Sequence, residues 1–174
     1  MKTLYLLRHA KSSWKNDGID DFERPLNKRG RATAAAMGAY LAKREVVPAQ
    51  VLCSSSKRTR ETWAHLQVAL GPVAVPVRFE KGIYLAEPAV LLRRVRRLDD
   101  SLGSVMLIGH NPGLELLAVS LAAAGDDDLR RQLATKFPTG TLAVLEAGID
   151  RWSDLRPGCC SLTDFVRGRD LTKA

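Results

Sequence analysis

Two stretches, LYLL at residues 4–7 and VMLI at 105–108, are apolar at every position. A strand with one wet face alternates apolar and polar side chains. Unbroken runs of this length therefore read as strands covered on both faces. Each run ends abruptly, the first in Arg8-His9 and the second in Gly109-His110. Further strand patterns lie at 50–54 (QVLCS), 75–79 (VPVRF) and 139–147 (TGTLAVLEA). Helical patterns fill the gaps. Asn27 caps an Ala-rich segment reaching about Lys43, residues 57–70 put Trp63, Leu66 and Leu70 on one face, and 87–98 forms a third helix. A fourth takes Asn111 as its cap and Pro112 as its first residue, and runs through the alanines until Gly125 and three aspartates break it. Residues 151–158 and 161–171 read as an edge strand and a tail. This alternation predicts a three-layer α/β/α domain around a mostly parallel sheet.

The chain has 174 residues, which suits one domain spanning 1–174 with a core large enough to need no staples. Its net charge of +8 favours anionic partners such as phosphates, nucleic acid or acidic proteins. Cys53, Cys159 and Cys160 have neither metal-site spacing nor a disulfide framework, and read as reduced thiols of a cytoplasmic protein. The apolar start is too short for a signal-peptide core, and no run approaches the ~18 residues of a membrane span.

In such folds ligands sit beyond the carboxyl ends of the strands. The first strand delivers Arg8 and His9 there, QVLCS delivers Ser54 to Arg58 at a helix start, and SVMLIG delivers His110. His65 falls mid-helix and reads as a structural residue. Arginine forks match phosphoryl oxygens two at a time. A neutral imidazole whose other nitrogen keeps its proton is able to attack phosphorus. The four residues together point to phosphoryl chemistry.

The segments LLRHAKSSW, ERPLNKRG, SSSKRTRET, LIGHNPG and FPTGTLAVL resemble motifs of the histidine phosphatase superfamily, with its phosphoglycerate-mutase-like fold. The chain is most similar to the SixA-type phosphohistidine phosphatases. The resemblance implies His9 as nucleophile, Arg8 and Arg58 as phosphoryl ligands and His110 as a further contact to the same group. It also implies weaker substrate contacts from Ser12, Lys15, Arg24, Asn111 and Thr139. Ser12 and Trp14 keep the spacing of other branches, whereas Ala10 replaces a usual Gly and Lys15 a usual Asn. No cofactor or metal is implied.

Many relatives use a carboxylic acid to protonate the leaving alkoxide. The candidates here are Glu80 and Glu87, neither in a clear motif, and Glu87 is as well explained as a charge at a helix start. A weak acid favours N–P substrates, because an alcohol leaves poorly without a proton donor. The sequence thus implies a phosphatase acting on phosphohistidine in a protein, with a small phosphate ester as the alternative. A mutase would need a lid to keep water out, and the connections are short. The basic cluster RRVRR at 93–97 has no interleaved aromatics for stacking bases, so nucleic acid is disfavoured. Val90, Leu91 and Val95 are expected to pack inward, leaving the arginines as a solvated face or a dock for an acidic phosphoprotein.

Overall fold

The computed structural model describes residues 1–173. Seven strands form one sheet: β1 (Lys2–Arg8), β2 (Gln50–Ser54), β3 (Val77–Glu80), β4 (Ser104–Gly109), β5 (Ala122–Gly125), β6 (Thr141–Ala147) and β7 (Cys160–Arg167). Their order is β3-β2-β4-β1-β6-β7-β5. The pairs β3/β2, β2/β4, β4/β1 and β7/β5 are parallel, and β6 runs antiparallel to both of its neighbours.

The two apolar runs lie side by side at the centre, and each feeds both faces of the sheet. Leu4 and Leu6 of β1, Leu52 of β2 and Val105 and Leu107 of β4 pack into one core, which also holds Leu91, Leu114, Leu117 and Leu133. These come from α3 (Pro88–Val95), α4 (Gly113–Leu121) and α5 (Asp127–Thr135). Leu7, Val51, Cys53, Met106 and Ile108 pack into the other core with Met37, Leu41, Trp63 and Leu66. Those come from α1 (Lys28–Lys43) and α2 (Lys57–Leu70), and a short α6 (Gly168–Leu171) packs beside α1. The arrangement is the expected three layers.

Asn27 caps α1 by accepting from the Gly30 amide at 2.8 Å, and α2 covers residues 57–70 as its periodicity indicates. Five expectations are corrected. The cap of α4 is Pro112 rather than Asn111, whose amide nitrogen is instead committed to the Phe137 carbonyl and Glu115. The helix stops at Leu121, and the alanines that follow pair as a short parallel strand with β7, so tertiary pairing outweighs alanine's helix propensity. The three aspartates start a helix rather than ending one. Asp126 accepts from the Asp128 and Leu129 amides, and Asp127 and Asp128 occupy the first turn, where negative charge suits the dipole. Finally, β7 lies inside the sheet, with β5 at the edge. On α3, Leu91 and Val95 are buried but Val90 is exposed. Among the described residues no helix is long and apolar enough to cross a membrane, and all three cysteines are free.

The chain after β1 returns against the start of α1. The Lys11 carbonyl accepts from the Asn27 amide at 3.0 Å, and a Cβ on Gly30 would run into that carbonyl. Gly30→Ala is expected to destabilise the protein by about 1–3 kcal/mol in chemical denaturation, as overpacked sites do. Ala35→Gly, in the same helix, should lose about 1 kcal/mol through propensity.

Candidate active site

The register of the central strands places the site. Arg8 of β1 lies opposite Gly109 of β4, so His9 and His110 emerge together at the carboxyl edge. The His9 amide donates to the Gly109 carbonyl at 3.1 Å, and the two imidazole rings stand 5.3 Å apart. β2 ends nearby and carries the chain through Ser54 into α2, whose first turn presents Arg58. Because β6 is antiparallel, its beginning lies at this same edge. The Gly140 amide donates to the Arg8 and His9 carbonyls at 3.1 and 2.9 Å. Gly140 has a φ of +71°, a conformation that favours glycine.

These elements enclose a cavity of about 420 Å³. Arg8, His9, Ser12, Arg24, Arg58, His110, Asn111 and Thr139, all singled out from the sequence, line it. Lys15 does not; it is exposed in the loop after Trp14. Glu80 is held by Arg94 in a two-pronged ion pair of 2.6 and 2.7 Å, away from the cavity. Glu87 is exposed at the start of α3 and also lies outside the lining. Neither glutamate is placed to serve His9.

The tautomer of His9 follows from its partner. Nδ1 lies 2.7 Å from the Ala10 carbonyl, which is purely an acceptor, so Nδ1 carries the proton and Nε2 keeps its lone pair. The Ala10 amide in turn donates to Thr62 Oγ1 at 3.0 Å, and that hydroxyl donates to the Arg58 carbonyl at 2.7 Å. Burial pushes the His9 imidazole down to about 3; the Ala10 carbonyl opposes this, while Arg58, Arg8 and Arg24 reinforce it. Burial, His9 and Arg58 likewise bring His110 down to about 3. Both rings are therefore neutral near pH 7.

Arg8 Nη1 donates to the Phe137 carbonyl at 2.9 Å. Arg58 donates to the Asp21 carbonyl at 2.6 Å and to its carboxylate at 3.0 Å. The Nε atoms of Arg8 and Arg58 are buried and have no hydrogen-bond partner among the described residues. Two oriented guanidiniums with donors to spare suit an anion with several oxygens. His110 Nε2 lies 2.8 Å from Ser54 Oγ, and its Nδ1 lies 3.4 Å from Arg58 Nη2. Arg58 Nη2 is purely a donor, so His110 Nδ1 accepts from it, and the His110 proton sits on Nε2 and is donated to Ser54 Oγ.

Asp21, Tyr84, Thr62 and Leu85 escape sequence reasoning. Asp21 lies in a short 3-10 turn and is the carboxylate that lines the cavity among the described residues. It binds Arg58, accepts from Arg24 Nε at 3.0 Å and accepts from the Tyr84 hydroxyl. Burial would raise its carboxyl, but Tyr84, Arg58 and Arg24 outweigh this and hold it at about 2. Its place three residues before Arg24 is a signal that the sequence does contain. Tyr84 has none, because it reaches the site by stacking edge-on against Phe22 and His110. Arg24 also donates to Ser12 Oγ at 2.8 Å and lies over the exposed Trp14 ring at 3.5 Å. Among the described residues no cluster of three or more histidine, cysteine or acidic side chains could hold a metal ion.

Comparison with known proteins agrees with this geometry. A family model of the histidine phosphatase superfamily (branch 1) matches residues 4–84. The uncharacterized protein Rv1276c of Mycobacterium tuberculosis is 36% identical over 163 residues, covering 91% of this chain and 98% of that protein. A candidate phosphohistidine phosphatase, SixA, from Agrobacterium tumefaciens is 32% identical; the match covers 95% of this chain and 97% of that one, with a TM-score of 0.77. The mycobacterial glucosyl-3-phosphoglycerate phosphatase Rv2419c shares the fold at 16% identity and a TM-score of 0.65, over 96% of this chain and 99% of its own. The chain belongs to the histidine phosphatase superfamily and is a phosphatase.

Proposed function

We propose that this phosphatase works through a phosphorylated His9 and removes phosphate from phosphohistidine in a protein. The observation that carries the mechanism is the locked tautomer. With Nδ1 donating to Ala10, Nε2 of His9 is the free nucleophile, beside Arg8, Arg58 and His110. Nε2 attacks phosphorus while the bond to the leaving group breaks, and the leaving group takes that electron pair. Arg8 and Arg58 hold the phosphoryl oxygens and stabilise the charge spread over them. His110 Nδ1 accepts from Arg58 Nη2 and so helps to orient the guanidinium that holds the phosphoryl group. Water then cleaves the N–P bond and restores His9.

Asp21 supports the substrate reading. A carboxyl held at about 2 is ionised at neutral pH, so it accepts hydrogen bonds and has no proton to give a departing alkoxide. Glu80 is occupied by Arg94, and Glu87 lies outside the cavity. A phosphohistidine ring protonated on its other nitrogen leaves as neutral imidazole and needs no such donor. The likeness to a candidate phosphohistidine phosphatase at 32% identity points the same way.

His9→Ala should lower kcat on p-nitrophenyl phosphate by roughly 10⁴-fold or more. It should also abolish the acid-labile radiolabel that wild-type protein retains after a pulse of labelled substrate; activity surviving the change would falsify the mechanism. Arg58→Ala should cost about 10²- to 10³-fold in kcat, and chelators should change nothing. A panel of a phosphohistidine protein, phosphorylated sugars and a nucleotide, ranked by kcat/KM, tests the substrate. Preference for a sugar phosphate would make the chain a metabolite phosphatase.

The depressed histidines also make folding sensitive to acid. A histidine near 6.5 when unfolded but about 3 when folded binds its proton preferentially in the unfolded state across that interval. Its stabilising effect is complete above pH 6.5 and is lost as pH falls toward 3. His9→Asn should therefore flatten the decline of unfolding free energy between pH 6 and 4 by about 1 kcal/mol per pH unit, read from urea melts. An unchanged slope would mean that His9 is already protonated in the fold.

A further inference from the structure

A second cavity, of about 280 Å³, adjoins the first and shares Arg8, Lys11 and Thr139 with it. Its other cations are Arg29 at the start of α1, Lys136 after α5 and Arg169 on α6. Five positive side chains from five parts of the chain thus face one space, and among the described residues no carboxylate lines it. Among the described residues, Lys11, Arg29 and Lys136 make no ion pair within 4.0 Å. Arg169 meets Asp170 at 3.9 Å, a carboxylate already engaged by Arg167 at 2.8 Å and approached by Lys173 at 3.9 Å.

Arginines without an ion pair occur elsewhere on this chain, but here the cations come from separate elements and line one space, and the frame of that space is fixed. The methyl of Thr33 packs where Gly140 and Gly168 would each carry a Cβ, which locks α1 against the start of β6 and the start of α6. The backbone beneath Arg29 and Arg169 is therefore fixed, and although the Lys11, Arg29, Lys136 and Arg169 side chains are exposed, an anion seated among them would offset their mutual repulsion.

We propose that this cavity is a second anion subsite, which takes a further phosphate or carboxylate group of the substrate while its scissile phosphoryl group sits on Arg8 and His9. The proposal rests on the reading of the first cavity as the phosphoryl site. Arg8 borders both spaces and Lys11 stands at their junction, so one substrate is able to reach both. A ligand anchored at the first cavity meets the second at high effective concentration, and gains affinity without any change at the reacting atoms. The second group comes either from acidic residues flanking a phosphohistidine or from another phosphate on a small substrate.

The test compares orthophosphate, which fills one subsite, with tripolyphosphate, which spans both, by titration calorimetry at constant ionic strength. Wild type should bind tripolyphosphate about 30-fold more tightly. The variant Arg29→Gln/Lys136→Gln/Arg169→Gln should bring that ratio within about threefold, and leave kcat/KM on p-nitrophenyl phosphate within about twofold of wild type. Lys136→Gln alone, on an exposed side chain, should cut the ratio by about threefold. Arg93→Gln/Arg97→Gln, which removes charge from the distant α3 region, should preserve it. A wild-type ratio near one overturns the subsite, as does a ratio that survives the triple variant. Two substrate pairs identify the source: phosphohistidine peptides with flanking Glu or flanking Gln, and a sugar bisphosphate against its monophosphate. The pair whose kcat/KM preference falls in the triple variant supplies the second anion, and equal rates within both pairs overturn the proposal. Binding is read without turnover, so failure to cleave phosphohistidine would refute the proposed substrate while the tripolyphosphate ratio still decides the subsite.

Discussion

The parallel register of β1 against β4 is the constraint on which the site depends. Arg8 opposite Gly109 brings two histidines about a hundred residues apart in sequence to ring contact at 5.3 Å. A slip of one residue would turn every side chain of β1 to the opposite face. That slip is forbidden on both sides, because Leu4 and Leu6 belong to one core and Leu7 to the other. The edge that carries the candidate site is thus held by the hydrophobic packing of the whole sheet. Its most polar residues follow its most apolar strands because the end of a doubly covered strand is the first place where a buried charge finds room.

Charge is managed there by a division of labour. Arg8, Arg24 and Arg58 converge on the cavity with one carboxylate, Asp21, among its described lining. Asp21 neutralises part of that charge and, by binding Arg58 with both backbone and side chain, fixes the guanidinium in place. The remaining positive field falls on two imidazoles that burial already keeps neutral. Desolvation, which would be a penalty for a charged histidine, here keeps a lone pair available for attack. In the proposed mechanism the same cations that lower the imidazoles receive the phosphoryl charge.

Much of this was legible in the sequence, and the divide between what was and was not is physical. Arg8, His9, Arg58 and His110 could be placed because strand ends in a parallel sheet define an edge, and each lies within a few residues of such an end. Thr139 lies there too, because β6 begins at the same edge. Asp21 and Tyr84 belong to irregular segments, where no periodicity reports which way a side chain points. Lys15 was misplaced for the same reason: a motif spacing fixes an order along the loop but not a direction. The reading of Asp126 to Asp128 as a helix break failed because the same carboxylates that oppose a helix interior cap and charge a helix start.

Net charge gains meaning when it is followed side chain by side chain. RRVRR is the densest basic cluster in the sequence, yet Arg94 is bound by Glu80, and Arg96 donates to the Ser153 carbonyl at 2.9 Å. The cations around the second cavity are scattered from residue 8 to residue 169, and no linear pattern joins them. The fold gathers them, and among the described residues leaves three of them without a carboxylate. Clustering in sequence raises the chance that charges are solvated along one helix. Clustering in space by elements that pack for other reasons, without counter-charge, is what distinguishes a receptor for anions from a basic surface. By that criterion the excess charge of this chain is concentrated in function where it is most dispersed in sequence.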